Sequence, residues 1–423
     1  MSSTSQAATE MTALVTNDAT ALGILAAILG FVFYTNSSSH PFWQKFYRFI
    51  PALLLCYFLP SLLNTFGIVD GSTSKLYYVA SRYLLPACLV LLILSVDLKA
   101  ILGLGPKAVV MFLTGTMGIV IGGPIALLIM SAIDPTLTAG HGPDAVWRGM
   151  TTLAGSWIGG GANQAAMKEI YEVGGNIFSV MVTVDVIVAN IWMAVLLFMA
   201  SRAKEIDAKT GADTSAIESL KAKVEQYHAE NARIPSLRDI MLIVAVGFGI
   251  TGLAHVGADL LAPWFATNYP WTEQYSLTSG FFWLVVIVTT IGLLLSFSPA
   301  RHLEAAGASK IASAYLYILV ATIGLHMDVS QVLDTPIYFL VGIIWMLVHS
   351  GLMLLVAKLI RAPLFYMAVG SQANVGGAAS APVVAAAFHP ALAPVGVLLA
   401  VFGYALGTYM AWLCGQLLQA VAG

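Results

Sequence analysis

Charge is what this 423-residue chain lacks: Asp, Glu, Lys and Arg make up 9% of it, against about 25% in an ordinary soluble domain. So few charged side chains cannot coat the surface of a water-soluble protein of this length. Cysteine is also scarce. Cys56, Cys88 and Cys414 all lie in apolar runs and at no ligand spacing, which excludes a disulfide framework and a zinc site. A net charge of −2 leaves no basic surface for nucleic acid, so none is expected as a partner. The first eleven residues contain no Lys or Arg and so lack the basic start of a cleavable signal peptide. HExxH, GxSxG and Walker A patterns are missing as well, so no enzyme activity, no cofactor and no ATP-driven pump is expected.

Long apolar runs fill the space left by charge, and 59% of residues are hydrophobic. The runs are continuous rather than alternating, which excludes a transmembrane β-barrel and predicts an all-α polytopic membrane protein. Ten spanning segments are expected at 18–35, 49–68, 78–96, 106–132, 176–201, 238–262, 279–297, 309–327, 336–360 and 392–417. Two further apolar segments, 148–172 and 362–388, are interrupted by glycines: Gly159, Gly160 and Gly161 in the first, Gly376 and Gly377 in the second. The one long hydrophilic stretch, 203–236, carries a capping-box pattern at Ser215 to Glu218 followed by apolar residues at helical spacing. It predicts a cytoplasmic linker helix between an N-terminal half, 1–202, and a C-terminal half, 237–423.

The halves repeat weakly. LSVDLKAI at 94–101 matches LHMDVSQV at 325–332, which pairs Asp97 with Asp328, and GSWIGGGANQAA at 155–166 matches GSQANVGGAASA at 370–381. Both blocks occur in the same order. If the interrupted segments cross the membrane, each half has six crossings and the halves run parallel. If they are re-entrant hairpins, each half has five and the repeats are inverted. The hairpin arrangement puts fifteen of the nineteen Lys and Arg residues on one side, with Lys75, Arg82 and Arg148 opposite and Lys168 inside the hairpin. The positive-inside rule favours that arrangement.

Five helices and a glycine-tipped hairpin, repeated in inverted orientation, resemble the sodium–glutamate symporters and the citrate (2-hydroxycarboxylate) transporters. LVTND at 14–18, GSWIGGGANQ at 155–164 and SQANVGG at 371–377 are most similar to the uncharacterised YjcL-like membrane proteins, over nearly the whole chain. The resemblance implies a multi-pass protein of the bacterial inner (cytoplasmic) membrane, working as a secondary transporter with an elevator-type moving domain. The tips depart from the glutamate and citrate families, so no substrate carries over. A moving domain needs a static scaffold. By exclusion, 18–68 and 238–297 are assigned to it, with a homodimer expected.

Two groups of residues could carry the chemistry. Broken helices expose backbone donors and acceptors at mid-membrane, and around the breaks lie Ser156, Gly159, Gly160, Gly161, Asn163 and Gln164, then Ser371, Gln372, Asn374, Gly376, Gly377 and Ser380. This neutral, amide-rich lining suits a small polar or anionic solute such as a carboxylate, amino acid or short peptide. The competing reading is tight packing of small residues. Asp185 is the clearest acid deep in a span, and a carboxylate there persists only with compensation. Na⁺ is the expected coupling ion at Asp185, with oxygens from Asn190 and Thr183 as candidates. Lys168 is the rival partner for Asp185. Asp97 and Asp328 are read as interfacial caps. Alternatives to a symporter are a cation/proton antiporter, an intramembrane hydrolase and a non-transporting receptor or scaffold. Topology is directly testable: an impermeant thiol reagent should label Ser3→Cys and Ala422→Cys on whole cells and spare Ala216→Cys. The opposite pattern would invert the orientation.

Overall fold

The computed structural model describes residues 14–50, 52–71, 73–212, 235–326, 336–389 and 392–423. Asp328 and the pattern at Ser215 to Glu218 lie outside the described residues. Among the described residues there is no β-strand, only an isolated bridge between Val15 and Val69. The helices are α1 (Asp18–Asn36), α2 (Pro41–Phe49), α3 (Ala52–Thr65), α4 (Leu76–Leu94, with a π turn at Ala80–Leu84), α5 (Leu98–Gly103), α6 (Pro106–Ser131), α7 (Val146–Ile170), α8 (Gly175–Ala200), α9 (Ala203–Thr210), α10 (Leu237–Asn268), α11 (Gly280–Ser296), α12 (Ala308–Gly324), α13 (Ile337–Leu359), α14 (Leu364–Val375), α15 (Gly377–Phe388) and α16 (Ala393–Ala422). Among the described residues, seven helices are long and apolar enough to cross a bilayer, or nine if each of two bent pairs is one span.

Every one of the ten expected segments coincides with a helix, and α10 and α16 run about one and a half turns further than expected. Their ends follow local chemistry. Asn17 accepts the Ala19 and Thr20 N–H groups at the start of α1. Ser236 and Asp239 cap α10 reciprocally, which satisfies donors that a helix start leaves open. Of the linker, α9 is described. Its Asp207 carboxylate accepts the Leu364 N–H at 2.8 Å and so caps α14. Partial burial raises the Asp207 carboxyl above its ordinary range, and this hydrogen bond pulls it back.

The interrupted segments are hairpins. In α7 the backbone leaves helical geometry at Gly159 and at Gly160, where φ is 70°, a conformation that favours glycine. The two arms then lie side by side: a Cβ placed on Gly155 would sit 2.6 Å from the Asn163 carbonyl oxygen. In an unbroken helix those residues would be about 12 Å apart. The base is closed as well. Gly174 N–H donates to the Pro143 carbonyl at 2.8 Å, Ile177 N–H to Asp144 Oδ1 at 3.1 Å, and the Arg148 guanidinium to the Tyr171 carbonyl. In the second hairpin α14 and α15 reverse at Gly376 and Gly377, where φ of Gly377 is 57°. Phe365 and Phe388 close its base edge to face, 5.4 Å apart.

One helix relates the two hairpins. Along α16, Gly396 packs against Ala381 of α15 and Gly403 against Ile158 and Ala373 beside the two turns. Further on, Gly407 meets Gly159, and the Trp412 carbonyl accepts from Tyr171 at the base of the α7 hairpin. The hairpins therefore reach the middle of α16 from its opposite ends, and a Cβ on Gly377 would lie 4.0 Å from Gly160 Cα. With α6, α8 and α13 they form an inner group. The other long helices, α1, α3, α4, α10, α11 and α12, pack on one another as an outer group. That outer group includes α1 and α3 from 18–68 and α10 and α11 from 238–297, together with α4 and α12. Because backbone faces backbone between the arms, Gly155→Leu should cost about 1–3 kcal/mol of stability. The check is the melting temperature of purified protein, and an unchanged value would mean that the arms do not touch there.

Candidate functional site

Asp185 stands on α8, between Val184 and Val186. It is 6% exposed and receives three hydrogen bonds, all from the α7 hairpin. Ser156 Oγ donates to Oδ2 at 2.6 Å, Trp157 Nε1 to Oδ1 at 2.7 Å, and Gln164 Nε2 to Oδ2 at 3.1 Å. Both arms contribute, so the chain reversal at Gly159 and Gly160 is what assembles this cage. Three neutral donors offset the cost of a buried carboxylate without a cation. Tyr57 of α3 extends the network by donating to Gln164 Oε1 at 3.4 Å.

The other expected ligands of Asp185 are turned elsewhere. Thr183 Oγ1 donates to the Ser179 carbonyl at 3.0 Å and Asn190 Nδ2 to the Val186 carbonyl at 2.7 Å, each back onto α8 itself. Lys168 is not beside Asp185. Its ammonium donates to Tyr77 Oη at 2.9 Å and lies 4.4 Å from the centre of that ring. Glu169 pairs with Arg82 of α4 at 2.6 Å. Asp97 pairs with Arg301 at 3.1 Å, in keeping with a structural role. Among the described residues no three His, Cys, Asp or Glu side chains gather as a metal site.

At the tips the two asparagines make the same clasp. Asn163 Nδ2 donates to the Gly159 carbonyl at 2.9 Å and to the Tyr404 carbonyl at 3.4 Å, while Thr408 Oγ1 donates to Asn163 Oδ1 at 2.7 Å. Asn374 Nδ2 donates to the Gly370 and Phe112 carbonyls at 2.9 and 3.0 Å, while Thr116 Oγ1 donates to Asn374 Oδ1 at 2.8 Å. In each case a carbonyl and a threonine four residues later on a neighbouring helix hold the amide, fastening one hairpin to α16 and the other to α6.

Ser371 is fully buried between α8 and α13. Its oxygen accepts from Trp192 Nε1 at 2.8 Å, and it lies 2.7 Å from His349 Nε2. His349 Nδ1 is 3.0 Å from the Gly115 carbonyl, which can only accept, so a neutral ring carries its proton on Nδ1 and takes the Ser371 proton at Nε2. Gln372 Nε2 donates to Ser380 Oγ at 2.7 Å. The sequence reasoning gave no role to Tyr404, which touches both tips: it faces Gly160, and its hydroxyl accepts the Ala378 N–H. Trp157 and Tyr57 were missed likewise. Trp157 sits inside the glycine motif and carries a donor, a signal that was available in the sequence.

Removing one donor from a buried carboxylate costs about 1.5–3 kcal/mol. Ser156→Ala should therefore lower the melting temperature clearly, while Thr183→Ala and Asn190→Ala stay close to wild type. Equal effects at all three positions would show that the Asp185 cage is not a unit.

The comparisons with known proteins cover most of the chain. The model of a family described as "Protein of unknown function (DUF819)" matches residues 23–421, from within α1 to the last turn of α16. The chain is also 23% identical over 358 residues to the Uncharacterized membrane protein YjcL of Bacillus subtilis (strain 168), covering 81% of this chain and 84% of that protein. With its several apolar spans, the chain is a multi-pass membrane protein and belongs to the DUF819 family.

Proposed function

We propose that the protein is a secondary transporter of the bacterial inner membrane. It moves a small polar or anionic solute, such as a carboxylate, amino acid or short peptide, on an ion gradient. The observation that carries this reading is the meeting of the hairpin tips, Gly160 against Gly377, halfway along the 30-residue α16. Helix breaks at bilayer depth leave backbone groups that lipid cannot satisfy. They are tolerated where they serve a solute site, and secondary transporters place such sites near the midplane.

Element order supports an inverted repeat. A hairpin returns to the side it left, so each half makes five crossings: α1, α3, α4, α6 and α8, then α10, α11, α12, α13 and α16. Five is odd, so the second half starts from the opposite face. The inner group is the moving body of an elevator, and the outer group is its scaffold and the contact surface of a homodimer.

Asp185 is the coupling residue in this reading, with Na⁺ as the ion. Ser156 Oγ can turn a lone pair to a cation, and so can Gln164 Oε1 after rotation of the amide. Thr183 and Asn190 would join only if α8 turned. Cation/proton antiport is the second reading, favoured by Asp185 being a buried carboxylate held by neutral donors alone.

The test is a thermal-shift screen of the purified protein against metabolites in Na⁺ and in K⁺, followed by uptake of the hits into vesicles. A ligand at about 100 times its Kd adds about 2.7 kcal/mol to stability. Gly160→Val and Gly377→Val should abolish uptake at normal membrane abundance, and Asp185→Asn should lose the Na⁺-specific shift. Retained uptake in both glycine variants would return the tips to a packing role, and a wild-type Na⁺ response in Asp185→Asn would move the ion elsewhere.

A further inference from the structure

We propose that Lys168 and Glu169 of the α7 hairpin form, with Arg82 of α4, an ion-pair exchange that governs release of the inner group from the outer group. This rests on the reading above that the inner group moves. Glu169 stands between two cations. Its Oε2 meets Arg82 Nη1 across the seam at 2.6 Å, and its Oε1 lies 3.9 Å from Lys168 Nζ of its own helix. Lys168 is 8% exposed, and the Glu169 side chain is 11% exposed. Both charges are therefore withdrawn from water, and both lean on α4: Glu169 on Arg82, and Lys168 on the hydroxyl and ring face of Tyr77.

Movement of the hairpin past α4 would take both charges from these partners at once. A buried charge stripped of its partner is strongly disfavoured. The hairpin brings its own compensation, because Lys168 and Glu169 are neighbours on the moving side. Closing their 3.9 Å gap to hydrogen-bond length makes a neutral pair that can travel. Arg82 stays behind with support of its own. Its guanidinium lies 4.5 Å from the ring centre of Phe281 and 5.7 Å from that of Tyr78, both in the outer group, and its side chain is 29% exposed. Ring faces and water hold a cation in such a place. Glu169 thus trades Arg82 for Lys168 on leaving and trades back on return. Contacts that differ between two positions set the balance between them, and those of Glu169 and Lys168 differ.

The test reads positions of the inner group in lipid and needs no solute. Spin labels are attached at His141→Cys, between α6 and α7, and at Asn268→Cys, the last residue of α10; both positions are exposed. Cys56, Cys88 and Cys414 are buried and stay unlabelled. The distance distribution gives the share of molecules that have left the position in which Glu169 meets Arg82. Arg82→Gln frees Glu169 for Lys168 and should raise that share by roughly fivefold or more. The double variant Lys168→Met/Glu169→Gln leaves the hairpin no charge to carry and should raise it likewise. Lys168→Met alone and Glu169→Gln alone each leave one bare charge on the hairpin and should not raise it.

That pattern separates an exchange from a plain tether. If the contacts only hold the seam together, each single variant loosens it and their effects add in the double. A rise in either hairpin single variant therefore overturns the proposal. Absence of a rise in Arg82→Gln or in the double variant, with a second distance present in any protein, overturns it too and leaves the movement standing. If Arg82→Gln fails to accumulate, the double variant and the two singles decide alone. One unchanging distance in every protein removes the movement itself, and the exchange with it.

Discussion

A helix broken inside an apolar bundle must find new partners for the backbone groups that the break releases, and the rest of this structure is arranged around that need. Water is not at hand at bilayer depth, and an unsatisfied peptide group there costs several kcal/mol. The Asn163 and Asn374 clasps answer it with side chains. Each amide reaches the carbonyl four residues back in its own hairpin and a carbonyl of an intact helix, and a threonine supplies the missing donor. The clasps fix the height of each tip on α16 or α6, and with it the contact of Gly160 and Gly377.

Close approach does the rest. Gly396, Gly403, Gly407 and Gly415 fall on one face of α16, and each lies against backbone or an aromatic ring of a hairpin. On α6, Gly118 and Gly122 admit His349 and Trp345 of α13 in the same way. Among apolar helices in lipid, small residues of this kind allow the contact that dispersion forces need. The seam between the inner and outer groups is more polar. Gln164 meets Tyr57, Lys168 meets Tyr77, Glu169 meets Arg82, and Thr408 lies 3.2 Å from Thr289. The π turn of α4 contains Arg82, and such turns occur often at functional sites.

The two halves use their matched motif unequally. Ser156 serves a carboxylate on α8, whereas Ser371 lies between an indole and an imidazole. At the first tip Ser156, Asn163 and Gln164 are all engaged by protein, and at the second the Gln372 oxygen has no partner among the described residues. The glycine clusters thus mark where the chain turns, while the residues facing each turn decide what it holds.

The spans were legible in the sequence because hydropathy is local and bilayer thickness fixes length. The same holds for the glycine breaks, since the left-handed φ found at Gly160 and Gly377 favours glycine. The helical period was informative too: about 100° per residue sets Thr183 and Asn190 far round α8 from Asp185, a point the spacing already contained. Other features came only from tertiary structure. The reversal of the α7 arms depends on backbone contact between Gly155 and Asn163 and on a base closed by Pro143 and Asp144. The cage of Asp185 comes from residues 21 to 29 positions earlier, and Lys168 was drawn to Tyr77 of another helix. Single-chain periodicity carries no information about which distant donor reaches a carboxylate. That is settled by which helices pack together, and here by two hairpins meeting on α16.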